Sequence, residues 1–287
     1  LIYLLLSILA STLIFVIFTL LGKYKINTLQ TIVVNYFTAF TTGILSSTET
    51  ISFNEVINKD WFYGTIFLGF LFISIFNIMA LTAQRNGLSV ASVASKMSVV
   101  IPIIFGIYAY NESLTILKTI GILLALFAVY LTSLKAKTGK VDLKNLWLPI
   151  LLFFGSGTID TTIKYIETSY VSENGIPIFS ATIFAIAGII GIVILSAKAI
   201  TGKLKFDYRS IFGGIILGIV NYYSIYMLLK ALQVDSFESS SIFTINNVAI
   251  VMLSTILGLL FFKEKLSLKN WFGIAIAIFS IVLVTLA

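Results

Sequence analysis

Asn111-Glu112-Ser113-Leu114-Thr115 returns 152 residues later as Lys263-Glu264-Lys265-Leu266-Ser267. The same separation carries Gly106 onto Gly258 and Gly121 onto Gly273. The stretch after the first motif, Gly121-Ile122-Leu123-Leu124-Ala125-Leu126-Phe127, meets Gly273-Ile274-Ala275-Ile276-Ala277-Ile278-Phe279, and Gly, Ile, Ala and Phe coincide. Apolar sequence matches itself easily. A glutamate held in register with glycines and a phenylalanine is more specific, so the chain reads as two related halves. Upstream the register slips: Ala83-Gln84-Arg85 aligns with Ala231-Leu232-Gln233 at a separation of 148, a difference of about one helical turn.

Working outward from the repeat, apolar stretches run at 1–21, 29–47, 63–85, 88–110, 115–134, 146–165, 177–197, 209–232, 236–262 and 267–286. A membrane span needs about 20 mostly apolar residues. Each stretch is apolar around most of its circumference, unlike a surface helix with one apolar stripe. An open strand leaves its backbone unsatisfied in hydrocarbon, and the alternation of a β-barrel is absent. The expected fold is an all-α membrane protein with ten transmembrane helices. The polar joint at 134–145 divides it into five-helix repeats at 1–134 and 146–287. An odd number of spans per half means that the second half enters the bilayer from the opposite side, so the repeats are inverted, as is common in secondary transporters. The first span lacks a basic start and a small-residue cleavage site, and is expected to be retained rather than removed as a signal peptide.

Composition narrows the chemistry. The chain is 59% hydrophobic and 11% charged, against about one quarter charged in a soluble domain. It has no cysteine and no histidine, which removes disulfides, thiolate and imidazole chemistry and Cys/His metal sites. No metal site and no cofactor are expected. No Walker-type loop is present to bind a nucleotide. The net charge of +7 does not indicate a nucleic-acid partner, because the basic residues sit mainly between spans.

The Glu-x-Leu-Ser/Thr turn after an apolar helix, followed by a glycine-led final helix and repeated in both halves, resembles the drug/metabolite transporter superfamily. Within it, the ten-span EamA-like exporters are the most similar. The resemblance covers nearly the whole chain and is strongest at 80–134 and 228–287. It implies ten helices in an inverted five-plus-five repeat, and export of amino acids or other small metabolites across the cytoplasmic (inner) membrane of a bacterium. The tryptophan–glycine start usual near the family's first helix is replaced here by Ala10-Ser11-Thr12 and Gly155-Ser156-Gly157.

Charge inside a span points to function. Lys96 lies about eight residues into span four, roughly 12 Å at helical rise, and Asp160 is about as deep in span six. Lys164 is near a span end and can snorkel. Ser89, Ser92, Ser95 and Lys96 recur at spacings of three and four and share a face. So do Ser236, Ser240, Thr244 and Asn247, with Asn246 beside them, and Ser74, Asn77 and Gln84 roughly share another. Span six adds Thr158, Thr161 and Thr162, and span eight adds Asn221, Tyr222, Tyr223 and Tyr226. Converging stripes line a cavity with a cation, an anion, amides and aromatic walls, suited to a zwitterion or polar metabolite. The candidate solute-binding residues are therefore Lys96, Asp160, Asn77, Ser92, Ser95, Tyr222, Tyr226, Thr244, Asn246 and Asn247. Lys96 is expected to bind an anionic group of the substrate, with Asp160 as its resting partner or as a proton site. The plainer alternative is that Ser and Thr bond their own helix backbone and Asn joins helices. Gly214 and Gly218, and Gly188 and Gly191, read as close helix packing, and Glu112 and Glu264 as organisers of their turns.

Fourteen of the nineteen basic residues follow odd-numbered spans and four follow even-numbered ones. The positive-inside rule then puts the odd connections in the cytoplasm and both termini outside, whereas the resemblance implies termini inside. The partners expected are a small-molecule substrate, the lipid bilayer and protons as a coupling ion. The competing readings are a flippase or accessory subunit for a lipid-linked substrate and, less well supported, a membrane-embedded enzyme, for which no nucleophile or clustered carboxylates occur in the spans.

Overall fold

The computed structural model describes residues 2–46, 53–109, 115–132, 143–171, 175–232 and 239–285. The chain folds as α1 (Ile2–Lys23), α2 (Thr28–Ser46), α3 (Phe53–Ile57), α4 (Phe62–Arg85), α5 (Leu88–Met97), α6 (Val100–Ala109), α7 (Ile116–Thr132), α8 (Leu143–Tyr170), α9 (Ile176–Ile200), α10 (Arg209–Leu232), α11 (Ser239–Phe262) and α12 (Leu268–Thr285). No strand occurs among the described residues. Seven helical stretches there are long and apolar enough to cross a bilayer: α1, α4, the α5–α6 stretch, α8, α9, α10 and α11. The other three expected spans are occupied by α2, α7 and α12. α7 and α12 are shorter, and α2 is less apolar because it buries Gln30, Thr31, Asn35 and Tyr36 against protein. Large apolar side chains such as Phe70, Leu123, Val193, Phe212, Leu260 and Phe272 point outward. An apolar exterior of this kind requires lipid as its solvent. This is a multi-pass membrane protein.

Two differences from the expected spans have physical causes. Span four is broken at Ser98–Val99 into α5 and α6, because Pro102 has no N–H to donate and its ring crowds the carbonyl four residues back. Instead, the Ile101 amide donates to the Ser98 carbonyl at 2.9 Å, a tighter turn. α8 runs to Tyr170 rather than 165, since a helix can continue beyond the apolar run that marks its span.

The helices form two compact units, each drawn from both halves of the chain. One comprises Leu1–Leu20, Ile78–Thr158 and Tyr223–Ala287, the other Leu21–Asn77 and Ile159–Tyr222. In the first, α7 packs along α12. Gly273, early in α12, lies against Thr132 at the end of α7. The Ser280 hydroxyl, late in α12, donates to the carbonyl of Gly121, early in α7, at 2.7 Å. The two helices are therefore antiparallel. Asn270 ties their other ends, donating to the Leu131 and Thr132 carbonyls at 3.1 and 2.9 Å. The core between them is built from Val93, Met97, Ala125, Ala128, Val251 and Ala277.

In the second unit α2 runs antiparallel to α9, with Gly43 against Ala181, Phe37 against Gly188 and Val33 against Gly191. On its other side α2 meets α10. A Cβ on Gly214 would lie 2.8 Å from the Thr31 carbonyl oxygen, and one on Gly218 would lie 2.6 Å from that of Asn35. Both glycine pairs are thus close-packing positions, as their spacing suggested. Aromatic rings fill the rest: Tyr36 lies 5.5 Å from Phe76 and 6.1 Å from Phe184 between centroids, and Trp61 meets Phe179 edge-on. In both units the long antiparallel pairs, α7 with α12 and α2 with α9, join a helix before the mid-chain joint to one after it.

Candidate functional site

The first unit carries Lys96 at a helix break. Lys96 stands in the last turn of α5, half-buried, with half-buried Ser95 beside it. Its neighbours on the same helix, Val93 and Met97, are fully buried in the core. Discontinuous helices line midplane sites in transporters because irregular backbone needs a polar neighbour. The carboxyl end of α5 favours a cation, and the amino end of α6 starts at Val100. Ser98 between them keeps helical dihedrals, φ −58° and ψ −18°, so the junction is a tight turn with the Lys96 cation beside it. Ser92 is buried and donates to the Ser89 carbonyl at 3.0 Å, so it serves its own helix.

The break itself is testable. Pro102→Ala restores an amide donor and relieves the ring's crowding, so α5 and α6 should merge. Thermal unfolding in detergent should then show a stabilisation of about 1–3 kcal/mol, while solute flux falls several-fold. A variant with native stability and native flux would deny the break any role.

Three helices of the same unit meet at Ser7, a position that its own span does not mark out. Its hydroxyl lies 2.9 Å from the Ser224 carbonyl on α10 and 3.3 Å from Asn246 Oδ1 on α11. Asn246, 2% exposed, acts here as an interhelical tie, the plainer of its two readings. Its neighbour Asn247 is also buried. The buried hydroxyls of Thr12 on α1 and Ser254 on α11 have no hydrogen-bond partner among the described residues. A buried unsatisfied hydroxyl costs about 1–3 kcal/mol. On α10, Tyr226 stacks edge-on against Tyr223, and the Lys230 ammonium lies 5.8 Å from its ring centroid.

Asn77, Tyr222 and Asp160 belong to the second unit. Asn77 is half-buried near the middle of α4, and its amide donates to its own helix at the Ile73 carbonyl, 2.7 Å away. Ser74 does the same with Phe70, while Gln84 reaches the Phe18 carbonyl of α1 at 3.1 Å. Tyr222 is buried in the second unit, its ring edge beside Gly43. Asp160 is on α8 in the second unit and is exposed rather than buried. Depth along a span is readable from sequence, but the direction a side chain takes around the helix depends on neighbours distant in the chain. The Thr244 side chain, Ser236, Gln233 and the Asn111–Leu114 motif lie outside the described residues.

Glu264 does more than organise its own turn. From the connection after α11 its carboxylate reaches the amino end of α5, where it accepts hydrogen bonds from the Leu88 amide, the Ser89 amide at 3.3 Å and the Ser89 hydroxyl at 2.6 Å. The first amides of a helix have no partner within it, and a carboxylate there is favoured by the helix dipole as well. Gly87, the residue before α5, has a φ of 105° and no side chain to cap with, so the cap is supplied from the other half of the chain. Gly258 explains itself in the same contact: a Cβ there would sit 2.5 Å from Glu264 Oε2. The repeated glycine and glutamate of the opening motif are thus two parts of one joint, which fixes the start of the helix that carries Lys96.

Residues 2–134 match the EamA-like transporter family. An uncharacterized protein of Haemophilus influenzae (strain ATCC 51907 / DSM 11121 / KW20 / Rd) is 29% identical over 289 residues, covering 96% of this chain and 94% of that protein.

Proposed function

We propose that this member of the EamA-like transporter family, and so of the drug/metabolite transporter superfamily, exports a small polar metabolite such as an amino acid. It works across the cytoplasmic membrane of a bacterium by alternating access. The observation that carries the reading is Lys96, a half-buried cation in the last turn of a half-helix. A cation is expensive inside a bilayer, and its place beside a break gives it a use: holding the carboxylate of a solute. Asn247, Tyr226 and Ser95 supply further polar and aromatic contacts on the same unit. The two five-helix repeats at 1–134 and 146–287 provide the inverted halves for alternation, supported by the family match at 2–134 and by the antiparallel pairing of α2 with α9 and of α7 with α12.

Asp160 is the proton-coupling group in this reading. The test is flux in proteoliposomes over a panel of zwitterionic, anionic and cationic metabolites, with and without a pH gradient. Zwitterions and anions should exchange, cations should not, and a pH gradient should accelerate net flux. Asp160→Asn should keep exchange at zero gradient but lose the acceleration. Selectivity for cations would overturn the role of Lys96. A gradient response retained in Asp160→Asn would remove Asp160 from coupling while leaving the transport reading standing.

A further inference from the structure

Two adjoining cavities in the second unit match the two parts of a phospholipid. The first, about 570 Å³, is an open basin lined by Lys25, Asn27, Lys205, Phe206, Asp207, Tyr208 and Arg209. The second, about 310 Å³, is an apolar groove whose walls include Val34, Ile192, Leu195, Ala199 and Ile211. Phe206 and its loop border both. The basin lies where α1 and α9 end and α2 and α10 begin, so it is at a membrane–water boundary. The groove runs from Ala199 back to Ile192 along α9, roughly 10 Å into the span. Tyr24, Phe206 and Tyr208 are strongly exposed at the same level, as interfacial aromatic residues are.

The basin is built rather than incidental. Buried Gln30 holds the loop on both sides, donating to the Lys205 carbonyl at 2.8 Å and accepting from the Asp207 amide at 3.0 Å. Asp207 receives the Arg209 guanidinium at 2.9 Å through both of its oxygens. That hydrogen-bonded cation holds the Asp207 carboxyl below the usual carboxylate range, and the two charges neutralise each other. Arg209 also reaches the Tyr24 carbonyl at 3.4 Å. Among the described residues, the basin charge without an acidic counterpart is that of Lys25 and Lys205. Lys25 stands at a φ of 53°, a left-handed conformation that glycine adopts freely and lysine does not. A turn closing α1 needs that backbone. A lysine there keeps a charge that glycine, the natural residue for the turn, would lose.

We infer that this basin and groove bind an anionic glycerophospholipid, the phosphate between Lys25 and Lys205 and one acyl chain along α2 and α9. Charge complementarity chooses the headgroup, and continuity between basin and groove chooses a lipid over a free phosphate. Basic pockets between transmembrane helices bind anionic headgroups in this way. The site lies outside the solute-binding residues, so its fate does not depend on the transport reading.

The experiment is native mass spectrometry of the purified full chain titrated with phosphatidylglycerol or phosphatidylcholine of the same acyl composition. Phosphatidylglycerol should bind at a concentration lower by about tenfold or more. Lys25→Gly with Lys205→Ala should reduce that preference to near parity, while thermal unfolding in detergent is unchanged or improved, because glycine relieves the left-handed turn. Ala199→Trp, which fills the groove, should weaken binding of phosphatidylglycerol. Lys265→Ala with Lys269→Ala removes two lysines from another surface and should leave the preference intact. Equal binding of the two lipids, a preference surviving in the Lys25/Lys205 variant, or an equal loss in the control would overturn the site. Soluble glycerol phosphate competing as strongly as the lipid, with Ala199→Trp binding normally, would reassign the basin to a free anion and overturn the lipid.

Discussion

Glu264→Ala is expected to lower the unfolding free energy by about 2–4 kcal/mol, the largest stability loss of any single substitution considered. The substitution strands the Leu88 and Ser89 amides and the Ser89 hydroxyl, all of which the carboxylate now serves. Removing one partner leaves the others to face burial without compensation, which costs more than the bond itself contributes. Glu264→Gln retains one acceptor oxygen and should lose only about 1 kcal/mol. Ser89→Ala alone should cost less than Glu264→Ala, and the double variant should cost clearly less than the sum, because both act in one network. Gly258→Ala should resemble Glu264→Ala in kind, since its methyl occupies the space of the carboxylate oxygen. Denaturation in detergent micelles, followed by circular dichroism, gives each value. Strict additivity between Ser89 and Glu264 would mean that the joint does not act as a unit. The functional consequence follows along the helix: a frayed start to α5 loosens the segment that ends at Lys96.

Lys96→Met should have the largest effect on activity. Methionine preserves length and apolar bulk while deleting the charge, so the core face of α5, at Val93 and Met97, keeps its packing. Losing one member of a desolvated charge pair costs about 2–5 kcal/mol, which corresponds to a flux loss of about thirtyfold or more when solute is limiting. Lys96→Arg keeps the charge with a different shape and should retain part of the activity. The melting temperature separates the two meanings of a loss. Abolished flux with an unchanged melting temperature assigns Lys96 to solute binding. Flux and stability falling together would make Lys96 a structural residue, and full flux in Lys96→Met would remove it from the mechanism.

Much of the fold was legible because hydrocarbon imposes one rule, that long apolar segments become helices. The positions of α1, α4 and α9 follow from that rule alone. The break in span four was written in Pro102, but a hydropathy run averages over a single proline. The candidate site was legible only in depth. The sequence places Lys96 and Asp160 well inside their spans; what it does not carry is their rotation about the helix axis, which leaves one half-buried and the other exposed. Ser7 escaped notice because its partners, Ser224 and Asn246, lie more than two hundred residues away. Glu264 was visible as a repeated residue. Its role was not, because the amides it serves are some 175 residues upstream.

The pairing of helices across the mid-chain joint also sets the order of events during biosynthesis. When the ribosome has delivered α2, the surface that will receive the glycines of α9 and α10 has no partner, and the intervening residues must still be made. Gly43 and its neighbour Ala181 are separated by a stretch that takes roughly 7–28 s to translate. For that interval the buried polar residues of α2, Gln30, Asn35 and Tyr36, are held in the insertion machinery or in lipid without their final packing. A nascent chain truncated at the mid-chain joint would hold neither unit complete and would be a substrate for membrane proteolysis. The same topology makes the two halves complementary fragments, because each holds the faces that the other lacks.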